Sequence, residues 1–361
     1  MSIGTQRSKK IVITRFTPSE ESAWEQLVQD SPLGMLYHSI KWLRILADFT
    51  GVIPLHLVAK DHDRLVGILP VFLKKGKWGN VLNSSPFYGS HGGVLVHSEE
   101  YKAEIQQQLL AGFTELAHGY GCITSTVISS PFDTGPDAYK YGLNPQKIDQ
   151  RIGQIVHFPL SHGTPEEALM QSFESRGRNS VRKAIKSGVS VSSSTTPEHV
   201  RDLYQLHVSN MNDLGGLAKP LTFFEHLTRV LEPGTEWKLW RAECEGQTIA
   251  MMLLLYYKDM IEYYTPVVQR EYRSQQPLSL LLFHAMAEGM KRGYRFWNFG
   301  GTWLSQKGVY RFKKQWNAED HPYYYYVNTY DDIEPLTRLT KEELLQEYQW
   351  FYVFPYYANK L

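Results

Sequence analysis

Cysteine is nearly absent from this 361-residue chain. Cys122 and Cys244 are its two, far apart and in neither metal-ligand nor redox spacing. Two such residues cannot build a disulfide framework, and the usage fits a reducing compartment. Long apolar runs are missing as well. No stretch approaches the roughly 20 apolar residues that cross a bilayer, so no membrane span is expected. The basic opening segment Met1–Lys10 leads into no apolar h-region. A signal peptide is therefore not expected, and the expected location is the cytoplasm. Charge of one sign is also lacking: 38 Lys and Arg face 37 Asp and Glu, for a net +1. No global field draws the chain to nucleic acid or to a membrane, so no DNA partner is expected and any basic site must be local. Thirteen histidines are scattered with no His-Glu-x-x-His or paired spacing, and no metal site is expected from them. A Gly-x-Ser-x-Gly elbow, a Walker loop and a Rossmann fingerprint are absent too.

Aromatic residues are plentiful. They make up 13% of the chain, with 23 tyrosines, and hydrophobic residues reach 42%. That supports real cores, with tyrosine rings suited to half-wet grooves and sheet faces. The length suffices for two domains of ordinary size.

The order of predicted elements repeats. Ile11-Val12-Ile13 reads as a short strand, and Thr17-Pro18 opens a helix; Val189-Ser190-Val191 and Thr196-Pro197 do the same later. Threonine at the N-cap with proline after it is a start signal, because the missing proline N–H would be unpaired there anyway. Two hairpins follow, Leu55 to Leu73 around Asp61-His62-Asp63 and Lys238 to Tyr257 around Glu243-Cys244-Glu245-Gly246. Each is succeeded by a helix, Glu100 to His118 and Pro277 to Arg292, that ends in Gly-Tyr before another strand. The expectation is an α+β fold of two repeated units.

Between them lies a capping box, Thr164-Pro165-Glu166-Glu167, and a basic helix from Ser175 to Ser187. Arg178, Arg182 and Lys186 recur every four residues and share a face. Aligned cations repel unless an anion is near. One reading is a phosphate clamp using Arg178 and Arg182; the other is a solvated helix neutralised by Glu166, Glu167 and Glu174.

Near the C-terminus, Asn298-Phe299-Gly300-Gly301-Thr302 reads as a strand entering a glycine turn. The segment Lys307-Gly308-Val309-Tyr310-Arg311-Phe312-Lys313-Lys314-Gln315-Trp316 follows. The glycine pair admits close approach of a ligand. If the segment is helical, one cation faces inward while the others stay wet. Such a cation suits stabilisation of an oxyanion or phosphate; the alternative is lysines snorkelling over an aromatic core.

Asn298-Phe299-Gly300-Gly301 with Phe312-Lys313-Lys314-Gln315-Trp316 resembles the Asp-Phe-Gly-Gly and Phe-Lys-x-x-Phe signature of the Fem-type peptidoglycan-bridge aminoacyltransferases. His38-Ser39-Ile40-Lys41-Trp42, Val66-Gly67-Ile68-Leu69-Pro70, Pro86-Phe87-Tyr88-Gly89 through Gly92-Gly93, and Arg178-Asn179-Ser180-Val181-Arg182-Lys183-Ala184 resemble further segments of that family. The resemblance spans most of residues 10–330. It implies two tandem GNAT-like domains, each a mixed, largely antiparallel sheet flanked by helices. The expected limits are 1–160 and 189–335, with a connector and basic helix at 161–188 and a helical, aromatic-rich tail at 336–361.

The resemblance also implies transfer of an acyl or aminoacyl group from an activated ester to an amine of a peptidoglycan or surface-polysaccharide precursor. Lys313 and Phe312 fall on the pair beside the reacting carbonyl. Tyr264 falls on a position lining the acceptor groove, and Gly300, Gly301 and Tyr310 join the substrate-binding set. No tightly bound cofactor is implied; acyl-CoA, an acyl-carrier thioester or aminoacyl-tRNA is the donor substrate. The partner is a small-molecule or lipid-linked envelope precursor, with tRNA and peripheral membrane association left open. The chain departs from the family in several ways, among them the lack of a match for its first-domain acidic base and of the coiled-coil arm that reaches for tRNA. Asn298 stands where the signature has Asp, and Trp316 where it has Phe. Arg273-Ser274-Gln275-Gln276-Pro277-Leu278 lacks the glycines of a GNAT pyrophosphate loop. Asn298 keeps a second expectation in view, a catalytically inactive paralogue that binds a glycan or peptide precursor.

Overall fold

A computed structural model describes residues 11–86, 91–97, 101–133, 135–160, 163–330 and 333–353. The opening segment, residues 87–90 of the family-like loop and the last eight residues lie outside these. The chain divides into two compact units, 1–150 with 322–361, and 151–321.

In the first unit the elements run β1 (Ile11–Arg15), α1 (Glu21–Asp30), α2 (Ile40–Thr50), β2 (Ile53–Pro54), β3 (Leu57–Asp61), β4 (Arg64–Leu69), β5 (Phe72–Lys74), β6 (Asn80–Asn83), β7 (Leu95–Val96), α3 (Lys102–Gly119), β8 (Cys122–Ile128) and α4 (Pro136–Leu143). The strand β9 (Lys147–His157) then carries the chain into the second unit. Thr17 opens the first helical segment as expected, its N–H donating to the Glu20 carboxylate at 2.6 Å. Antiparallel strands β1-β3-β4-β7 form one sheet. The predicted hairpin is present as β3 and β4, but Pro70 divides its second arm into β4 and β5, because proline supplies no ladder N–H. The motif around His38 is built into this unit. Ser39 Oγ caps α2 by accepting from the Trp42 N–H at 3.3 Å, and His38 Nε2 reaches the Gly93 carbonyl at 3.2 Å.

The second unit holds α5 (Pro165–Ser172), α6 (Ser175–Lys186), β10 (Ser190–Ser194), α7 (Pro197–Asp213), α8 (Leu221–Val230), β11 (Trp237–Cys244), β12 (Gln247–Tyr257), β13 (Met260–Val268), α9 (Pro277–Lys291), β14 (Phe296–Trp303) and α10 (Lys307–Lys314). The last strand, β15 (Glu319–Thr329), returns the chain to the first unit, where α11 (Glu334–Thr337) and α12 (Lys341–Glu347) follow. Strand order in the second unit is β10-β11-β12-β13-β14-β9. Pairing is antiparallel except between β13 and β14. Within β12 every residue from Ile249 to Leu255 is fully buried, so both sheet faces are covered, as its unbroken apolar run requires. The first unit has the matching parallel pair, β6 with β8.

Two boundaries differ from the sequence expectation. The basic helix α6 belongs inside the second unit rather than to a separate connector. Val181 and Ala184 are buried in its core, and Gly177 lies against the chain just after α10. A Cβ at Gly177 would stand 2.6 Å from the Gln315 carbonyl oxygen, which also accepts from the Glu174 N–H at 3.0 Å. The C-terminal segment is likewise part of the first unit. Tyr325–Thr329 pairs with β8, and the buried Tyr352 hydroxyl donates to Asp149 at 2.9 Å. Distant residues decide both boundaries, through contacts that local pattern does not reveal.

Alanine for glycine in a helix normally stabilises by about 1 kcal/mol. At Gly177 the clash with Gln315 should win, so Gly177→Ala is expected to destabilise by about 1–3 kcal/mol in urea unfolding. A stabilised variant would show that α6 is not seated this tightly.

Candidate active site

The site grows from the end of β14. Strands β13 and β14 pair only over Met260–Glu262 and Phe296–Asn298. Beyond that, among the described residues, β14 pairs with β9 alone, and its register slips between Asn298 and Gly301. Such a bulge frees main-chain groups and bends the strand. Gly300 takes φ +69°, which glycine adopts without strain. On the other strand, Leu253 faces Thr265 while Leu254 faces Tyr263, so Tyr264 is the extra residue of a second bulge. Its half-buried ring lies beneath the Lys219 ammonium, 4.7 Å from the ring centroid.

Lys313 projects from α10 into this bend. It is 5% exposed, and its ammonium donates to the carbonyls of Gly300 and Gly301, both at 3.1 Å, and to Thr302 Oγ1 at 2.8 Å. Three donors thus meet three acceptors. Thr302 Oγ1 in turn donates to Gln154 Oε1 at 2.9 Å, and Gln154 Nε2 donates to the Tyr310 carbonyl at 3.2 Å. Burial pulls the Lys313 pKa down to about 7, while the three acceptors act in the opposite sense by favouring the charged form. Lys307 and Arg311 stay exposed, and Lys314 pairs with Asp320 at 3.5 Å.

Behind the bend, Asn298 and Glu262 sit opposite each other on the paired part of the strands, both buried. Asn298 Nδ2 donates to Glu262 Oε2 at 2.9 Å, and its Oδ1 accepts the Gly300 N–H at 2.8 Å. An amide can do both; a carboxylate at 298 could only accept. Beside Thr302, the buried Arg151 guanidinium stacks on Trp303, 3.2 Å from the ring centroid.

Comparison with known proteins bears on the fold that carries this site. Residues 171–314 match the acetyltransferase (GNAT) domain family. A lipid II:glycine glycyltransferase from Staphylococcus saprophyticus is 22% identical over 245 residues, 63% of this chain and 56% of that protein. The match therefore spans little more than half of the relative's length. The FemX crystal structure superposes with TM-score 0.67 and 16% identity, over 93% of this chain and 99% of that one. A tandem GNAT protein from clavulanic acid biosynthesis gives TM-score 0.53 and 14% identity, over 89% and 98%. The chain has a tandem-GNAT fold similar to that of FemX.

In this tandem-GNAT chain, the fold joins Lys313, Gly300, Gly301 and the Tyr310 main chain into one network. The Tyr310 hydroxyl turns elsewhere, donating to Asp320 at 2.7 Å. Phe312 is half-buried with its ring edge against Trp316, centroids 6.1 Å apart. The basic helix presents a different face from the one expected. Arg178 donates to the Phe173 carbonyl at the end of α5, and Arg182 is exposed beside Asn179 at 3.4 Å. A surface depression is lined instead by Ser175, Arg176, Asn179, Ser180 and Lys183, together with Gln276 at the head of α9. Glu166 does not neutralise this helix; its partner is Lys291 on α9, which lowers its pKa.

Glu262, Gln154 and Arg151 escaped the sequence reading. Their signal was faint: single polar residues set among apolar ones, in Met260-Ile261-Glu262-Tyr263-Tyr264 and Ile152-Gly153-Gln154-Ile155. A polar residue inside a buried strand needs a partner, and that partner lies far off in the chain.

Two expectations follow. Because the folded state lowers the Lys313 pKa, the unfolded chain binds more protons between pH 7 and 10. The stability of the wild type relative to Lys313→Met should therefore rise across that window, by on the order of 3 kcal/mol, in urea titrations at successive pH values. A flat difference would mean that Lys313 keeps an ordinary pKa. Asn298→Asp sets a second carboxylate against Glu262. A loss of about 3 kcal/mol at pH 8 is expected, shrinking as the pH falls and one of the two protonates, measured by thermal unfolding.

Proposed function

We propose that this protein transfers an acyl or aminoacyl group from an activated ester to an amine of a cell-envelope precursor. The observation that carries the reading is the buried Lys313 ammonium held behind the Gly300–Gly301 bend. A carbonyl attacked by an amine develops negative charge on oxygen, and a fixed cation in a dry site lowers the energy of that charge without reorganising. Lys313 supplies the cation, and Phe312 supplies the apolar wall beside it. The bend, with its half-exposed Gly300 and exposed Gly301, is where the reacting group is admitted. The stretch of β13 beyond Glu262 has its ladder to β12 on one side, which leaves its other edge to receive an extended, amide-bearing ligand.

Tyr264, the extra residue of its bulge, borders the acceptor. Its neighbour Lys219, whose pKa burial lowers to about 8, adds positive charge beside it. Phosphate of the donor is held at the α6 depression. The cations facing it are Arg176 and Lys183; Arg178 and Arg182 support the helix that presents them. The Gln276 end of α9 adds the positive pole of a helix dipole. The glycyltransferase relative acts on lipid II by its name, and we assign this chain an acceptor of that kind, an amine on a lipid-linked or soluble wall precursor. Asn298 does not argue for an inactive binder, since Glu262 supplies a carboxylate beside it and the amide links that carboxylate to the bend.

The test is amide formation by purified protein, supplied in turn with aminoacyl-tRNA and with acyl thioesters. Loss of activity on ribonuclease treatment marks the tRNA donor, and insensitivity marks the thioester. Lys313→Met is expected to lower kcat about 100-fold or more in a protein that circular dichroism shows to be folded. A folded variant with wild-type kcat would remove Lys313 from the chemistry. Absence of transfer from every donor to any precursor amine would overturn the assignment.

A further inference from the structure

The histidines are scattered in the sequence, yet the fold collects two of them with a carboxylate. His157 ends β9, and Glu319 and His321 open β15, its neighbour in the sheet. Side chains alternate along a strand, so Glu319 and His321 share one face while Asp320 takes the other. Asp320 turns toward α10 and meets the Tyr310 hydroxyl and Lys314. Glu319 and His321 turn toward His157. His157 Nε2 is 3.9 Å from Glu319 Oε2, and the His157 and His321 rings lie 13° from parallel with centroids 6.1 Å apart. One ligand atom from each of the three residues lies within 4.8 Å of the other two. Phe296, the cross-strand partner of His157, meets that ring edge-on at 5.0 Å and steadies its orientation.

We propose that His157, Glu319 and His321 form a binding site for a late first-row divalent cation, with Zn2+ as its natural occupant. Two imidazole nitrogens and one carboxylate oxygen suit Zn2+, whereas Mg2+ and Ca2+ demand oxygen ligands. At bond lengths of about 2.0–2.2 Å, ligand atoms around a tetrahedral ion stand about 3.4 Å apart. A small side-chain movement therefore closes this set. The side chains of His157 and Glu319, 47% and 63% exposed, have room to make it, and a fourth position stays open to water. The bound ion ties β9 to the start of β15. Asp320, between the two β15 ligands, anchors α10, so the ion braces the helix that carries Lys313. The site stands whether or not the chain is a transferase.

The experiment uses the full chain without a histidine tag, stripped by chelator and titrated calorimetrically with Zn2+. One ion is expected to bind in the micromolar range and to raise the Tm, and Co2+ should give the intense visible bands of a four- or five-coordinate site. His157→Ala and His321→Ala should each weaken Zn2+ binding by about tenfold or more. The exposed Glu319→Gln is the variant least able to disturb folding, and it too should weaken binding. Equal Zn2+ affinity in the wild type and Glu319→Gln, or the absence of a one-equivalent site in the wild type, would overturn the proposal.

Discussion

A lysine ammonium buried beneath a strand bend is the constraint on which the second unit turns. An unpaired charge at 5% exposure would be costly, and a lysine in that position must either find acceptors or lose its proton. The chain meets this by deforming β14. The register slip between Asn298 and Gly301 turns two successive carbonyls toward Lys313, which regular pleating would direct to opposite sides. Glycine at 300 is needed because φ is positive there. Thr302, Gln154 and the Tyr310 carbonyl continue the network back to α10, so the helix that carries the lysine is bonded to the strand that receives it.

The same logic accounts for residue 298. A buried carboxylate on β13, Glu262, faces the last paired residue of β14. Its neighbour must donate to it and must also accept the Gly300 N–H. Asparagine does both with one side chain. The departure from the family signature is thus a local solution to hydrogen bonding. The loss of an acid at 298 still leaves an acid in the site, because Glu262 stands directly opposite.

Both units use a small set of devices twice. Each has an antiparallel hairpin, a long helix and one parallel strand pair, β6 with β8 and β13 with β14. The second unit adds the α5–α6 helices, the Tyr264 bulge and the lysine bend. Chemistry concentrates where regular pairing is interrupted, since an interrupted ladder exposes main-chain donors and acceptors that a continuous one would consume. Among the described residues no helix is long and apolar enough to cross a membrane.

Much of the fold was legible in the chain itself. The Thr-Pro helix starts, the Thr164 capping box, the hairpins and the Gly-Tyr helix ends are local signals, because caps and turns depend on residues within four positions of one another. Gly300, Gly301, Phe312 and Lys313 were legible as a motif for the same reason. Position along a helix, by contrast, does not say which cations a neighbour will cover. Arg178 turned back to the Phe173 carbonyl, and Arg176 and Lys183 face the depression, because the burial of Val181 and Ala184 fixes the rotation of α6. Glu262 beside Asn298, Gln154 beside Thr302, and His157 beside Glu319 and His321 are cross-strand meetings of residues tens to more than a hundred positions apart. Pairing order and register create those meetings, and a one-residue slip would send each side chain to the opposite face. Sequence alone therefore determined the repeated α+β elements and the lysine–glycine motif. Tertiary structure decided what that lysine touches, which acid stands behind it, and where dispersed histidines converge.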